Sequence, residues 1–77
     1  MGEQELINEL QGLLSDLLEK IGEEYQNPTS VEYIHDYLSV LVDSCNYWSK
    51  ANNSQRIIYD IENAINHFDL YFPIQDF

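Results

Sequence analysis

A chain of 77 residues has room for one domain and, folded, buries only about 60% of the surface it exposes when unfolded, so a deep, dry active site is not expected. Fourteen acids against three bases leave a formal charge of −11, and with only Lys20, Lys50 and Arg56 to meet phosphates, direct binding to nucleic acid or to an anionic membrane is excluded. A hydrophobic content of 44%, with 13% aromatic, equally excludes a disordered acidic tail.

The first helix is expected over about residues 3–25. Ile7, Leu10, Leu14, Leu17 and Ile21 recur at alternating spacings of three and four, broadened by Leu6, Leu13 and Leu18. Glu9, Asp16 and Glu23 stand seven apart on the opposite face, with Glu5 and Glu19 in the adjacent column. Glu3, Glu5, Glu9, Asp16, Glu19, Glu23 and Glu24 face only Lys20, so this helix supplies more than half of the net charge. Gln26-Asn27-Pro28 ends it, because proline disfavours the helical conformation in the residue before it.

Thr29-Ser30-Val31-Glu32 reads as a capping box that opens a second helix over about residues 30–50. Val31, Ile34, Leu38, Leu41, Cys45 and Trp48 form its seam. Tyr33, Val40 and Tyr47 make a second apolar column on another face, which places this helix between two neighbours or between one neighbour and a partner molecule. The whole chain is expected to be organised around it. After the polar turn Asn52-Asn53-Ser54, with Asn53 or Ser54 as cap, a third helix is expected over about residues 54–72. Its seam is Ile57, Ile61, Ala64, Phe68 and Tyr71, flanked by Ile58, Ile65 and Phe72; Pro73 stops it, and residues 73–77 form a short apolar tail. No strand alternation competes. The expected fold is all-α, a compact three-helix up-down-up bundle forming a single acidic domain over residues 1–77, with a homodimer as its variant.

Motifs for chemistry are weak. Glu32 and His35 have the Glu-x-x-His spacing of carboxylate-bridged metal bundles, but His67 has no matching Glu to complete a second pair, and in the seam frame both flank the core. Cys45 occupies a seam position without a nearby base, which suits a small buried hydrophobe and not a nucleophile. Its being the only cysteine precludes an internal disulfide and fits a reducing compartment. Among the acids, only Glu24, at the end of the first helix, is a candidate for burial and hence for acid–base work. Gly2, Gly12 and Gly22 are isolated and form no phosphate loop. No catalytic, metal-binding or cofactor-binding residues and no cofactor are therefore assigned, and the expectation is a protein that is not an enzyme. Met1 is followed by no basic and apolar leader, and no apolar run approaches the ~20 residues of a membrane span, so a cytoplasmic location is expected.

What remains is two candidate partner-binding surfaces. Glu5, Glu9, Asp16, Glu19 and Glu23 make a column whose main members are about 10.5 Å apart, an array able to stand in for a phosphate backbone. Tyr33, Asp36, Val40, Asp43 and Tyr47 make a strip of anchors ringed by acids, unless the rest of the fold covers it. The expected function is inhibition or neutralisation of a basic protein, such as a nuclease or another nucleic-acid-handling protein, by charge mimicry plus tyrosine anchors. Immunity proteins, antitoxins and anti-restriction or anti-CRISPR inhibitors have this kind of size and charge. The alternative is a homodimeric helical adaptor or assembly subunit whose acidity serves only solubility.

Overall fold

In the computed structural model, which describes residues 2–74, the chain forms three α-helices and no strand among the described residues: α1 (Glu3–Glu24), α2 (Pro28–Lys50) and α3 (Ser54–Tyr71). Of the expected apolar tail, Pro73 and Ile74 are described, Ile74 half-buried, and residues 75–77 lie outside the described residues.

The helix boundaries follow from local chemistry. α2 starts two residues earlier than the capping-box reading, with the Asn27 side chain accepting from the Ser30 amide at 2.8 Å and Pro28 in the first turn. Proline is suited there, because its missing N–H is one that the first turn leaves unpaired anyway and its fixed φ already fits the helix. Thr29, the expected cap, is therefore inside the helix. At the other end, Asn52 adopts a left-handed φ of 55°, its amide donates to Ser49 and the Asn53 amide donates to the Trp48 carbonyl at 2.8 Å. That pair of bonds is a Schellman cap. Asn53 then serves α3 as well, its side chain accepting from the Arg56 amide at 3.2 Å, so two asparagines close one helix and open the next.

Contacts at both ends fix the topology. Gln55 reaches Glu3 at the start of α1, and the Tyr25 hydroxyl donates to the Pro73 carbonyl at 2.9 Å beyond the end of α3, so α1 and α3 run parallel. Ser44 meets Asp60 and Tyr33 meets His67, so α2 runs antiparallel to α3 and the bundle is up-down-up.

The organising helix is not the expected one. α1 and α2 each pack on α3 and scarcely touch one another. α3 contributes Ile57, Ile58, Ile61, Ala64 and Phe68 to the core, α1 contributes Ile7, Leu14 and Ile21, and α2 contributes no fully buried residue. On α2, Ile34, Leu38, Leu41, Cys45 and Trp48 stop at half-burial and Val31 is exposed. Ala64, fully buried, lies at the centre of this middle helix, where a small side chain leaves room for close packing. The molecule is flattened to 37 × 27 × 15 Å, with a radius of gyration of 13.2 Å against roughly 11.5 Å for an average domain of this length.

Candidate functional site

Every acid of α1 is exposed. Glu5, Glu9, Asp16 and Glu23 project from the side of α1 opposite the buried Ile7–Leu14–Ile21 seam, with Glu19 beside them, because the two sets are half a helical turn out of phase. Glu5 and Glu9 also border a shallow depression beside Leu6 at the start of the helix. Glu24, the acid proposed for burial from the sequence, is exposed, since α1 ends there and the chain turns away through Tyr25.

The tyrosine strip is uncovered. Val40 is 70% exposed, Tyr47 65% and Tyr33 44%, so the strip is open to solvent, with only Tyr33 partly covered, by His67 of α3 and by Phe72. Its members do not all meet in one place. Tyr33, Asp36 and Val40 line a groove of about 440 Å³ between α2 and α3, together with Tyr37, Leu41, Ser44, Asp60 and Asn63. Tyr47 stands outside the groove, edge-on to Trp48 with ring centroids 4.8 Å apart. Asp43 borders a separate depression with His35, Ser39 and Val42. The groove between α1 and α2, floored by Ile61 and walled by Leu14, Leu18, Leu38, Leu41 and Cys45, contains none of the ten expected site residues. The acidic column and the tyrosine-bearing groove are thus two surfaces and not one.

The α2–α3 groove is held in shape by an aromatic stack. The Tyr33 hydroxyl and Nε2 of His67 lie 2.6 Å apart. The His67 ring is stacked on Tyr37 at 4.7 Å and 17° and meets Tyr71 at 4.6 Å, while Tyr37 packs edge-on to the buried Phe68 at 4.9 Å. Further along the groove the Ser44 hydroxyl of α2 donates to Oδ2 of Asp60 on α3 at 2.7 Å. Burial, then Tyr33 and Asp60, push the Tyr37 phenol above its ordinary pKa. Burial, followed by Asp60, likewise raises the Cys45 thiol. Both shifts favour the neutral form of the phenol and the thiol.

Sequence reasoning missed Asp60, Asn63, His67 and Ser44. The first three stand at spacings of three and four along the edge of the Ile57–Ile61–Ala64–Phe68 seam. A polar column bordering a seam at that spacing marks the rim of a helix–helix groove, a signal carried by the polar residues and not by the apolar ones. No group of three or more His, Cys, Asp or Glu among the described residues is arranged to hold a metal ion; Glu32 and His35 both lie at the surface. No described helix is long and apolar enough to cross a membrane.

Fold and surface together describe an all-α three-helix protein with an acidic outer helix and an acid-rimmed aromatic groove. No protein family matches the chain, and no curated protein or solved structure is significantly similar to it.

Proposed function

We propose that this chain is a non-enzymatic binding protein that inhibits or neutralises a basic, nucleic-acid-handling protein, with carboxylates taking the place of phosphates. The observation that carries this reading is the placement of Glu5, Glu9, Asp16 and Glu23 on the solvent side of α1, opposite its buried seam. A rigid helix presents these charges at regular intervals, as a nucleic-acid backbone presents phosphates, and a basic cleft evolved for the latter is complementary to the former. The formal charge of −11 would steer such a partner from a distance and make the association fall steeply with salt. The exposed Tyr33, Val40 and Tyr47 would add short-range anchors.

The test is partner capture from a lysate at low and high salt, with the native chain and with the E9Q/D16N/D36N/D43N variant as baits. Basic nucleic-acid-binding proteins released by salt and lost with the variant are expected. Recovery only of neutral or acidic proteins, insensitive to salt and to the variant, would refute the reading.

A second reading, a homodimeric adaptor or assembly subunit, is favoured by the apolar groove between α1 and α2, which no element of the described chain fills. Against it stands the repulsion between two chains each carrying −11. Sedimentation across a concentration range separates the two readings, a tight dimer supporting the second.

A further inference from the structure

Of the surface features, the α2–α3 groove joins the most kinds of recognition chemistry: aromatic faces, two carboxylates and an open mouth. We propose that it receives an arginine side chain of a basic partner protein, the guanidinium lying along Tyr33 and Tyr37 and pairing with Asp36 and Asp60. This rests on the function proposed above and names the side chain that its tyrosine-bearing surface reads.

Charge complementarity selects the occupant. Two carboxylates, Asp36 and Asp60, line the groove, and no Lys or Arg among the described residues does. A second copy of this chain is a poor source of the cation, since its one arginine, Arg56, already lies over Trp48 and Tyr59 at 5.0 and 5.1 Å. That pair of contacts also shows the same chemistry elsewhere in the molecule, a guanidinium resting on a half-buried Trp48 and an exposed Tyr59.

Preorganisation strengthens the case. Ser44 fixes the Asp60 carboxylate through Oδ2. His67 orients both tyrosines, by its contact with the Tyr33 hydroxyl and by stacking on Tyr37, so the walls need not be ordered when a ligand arrives. Arginine suits the site better than lysine because its planar fork can meet carboxylates while its face stacks on a ring, whereas an ammonium is a compact, strongly hydrated point charge.

Octa-arginine and octa-lysine peptides, equal in charge, serve as probes of the full chain by calorimetry at physiological salt. Octa-arginine should bind about fivefold more tightly than octa-lysine, the scale of one further hydrogen bond from the guanidinium fork to the groove carboxylates. D36N/D60N should abolish that preference, whereas E9Q/D16N/E23Q should weaken both peptides alike and preserve it. Equal affinities in the native chain, or a preference that survives D36N/D60N, would overturn the arginine groove while leaving the acidic-mimic reading in place; no binding of either peptide would overturn both. Should D60N disturb the fold through loss of the Ser44 contact, amide shifts in the native chain decide instead. Octa-arginine should move Val40, Ser44 and Asn63, and movement confined to α1 would refute the proposal.

Discussion

Phe68 and Ile61 show what one side chain decides here. Both are essentially inaccessible, and both lie on the helix that α1 and α2 share, so each touches the packing of the whole molecule. Phe68→Ala should cost about 3–5 kcal/mol, comparable with the entire stability of so small a domain, and Ile61→Val about 1 kcal/mol. Val40→Ala, on the groove rim, should change stability by less than about 0.5 kcal/mol. Urea unfolding of the three variants checks this order, and a costly Val40→Ala would mean that the side chain is covered in solution. Cys45 carries a prediction in pH. Its pKa is raised in the folded chain, chiefly by burial, so the native state favours the neutral thiol. The resulting stability is fully present below the ordinary thiol value of 9.0 and is lost as pH rises through the higher folded value, because the unfolded chain ionises first. Tyr37 acts in the same direction above 10.0. Thermal melts should therefore fall on the alkaline side of 9.0, by less in Cys45→Ala after allowance for its lower starting stability.

At the scale of the element, capping chemistry and glycine content set how firmly each helix holds. Asn27 and Asn53 satisfy first-turn amides that otherwise lack partners, and Asn27→Ala should destabilise the chain by about 1 kcal/mol in chemical denaturation. α1 carries Gly12 in its interior, exposed, with open space where a Cβ would stand. Gly12→Ala should therefore stabilise by about 0.5–1 kcal/mol, through reduced backbone freedom in the unfolded chain. A loss of stability would show that α1 approaches some neighbour at that point. The extents of the three helices were legible to within two residues, because Pro28, the Asn52-Asn53 pair and Pro73 are strong punctuation. The start of α2 was misread because Thr29 and Glu32 fit a capping box equally well, and only the geometry shows Asn27 accepting from Ser30.

For the molecule as a whole, charge is the dominant global property. Carboxylates on α1, α2 and α3 repel one another in the folded state, and salt screens them. Raising sodium chloride from ~0.01 to ~1 M, which shortens the Debye length from about 30 to about 3 Å, should raise the melting temperature. A midpoint that falls with salt would show that attractive pairs outweigh the repulsion. The same acidity fits the flattened shape, in which two outer helices lie on α3 with little contact between them.

Helix number, helix type, antiparallel succession and the acidic outer face of α1 were determined by the sequence alone, since each depends on periodicity or punctuation within a local stretch of chain. Which helix lies in the middle was decided only by tertiary structure. Apolar breadth suggested α2, but a wide apolar surface can be shared between burial and exposure, and it is α3, with Ala64 among its five buried residues, that lies in the middle. The α2–α3 groove belongs to the same category: Asp36 and Asp60 stand 24 positions apart on helices whose relative placement no local pattern encodes.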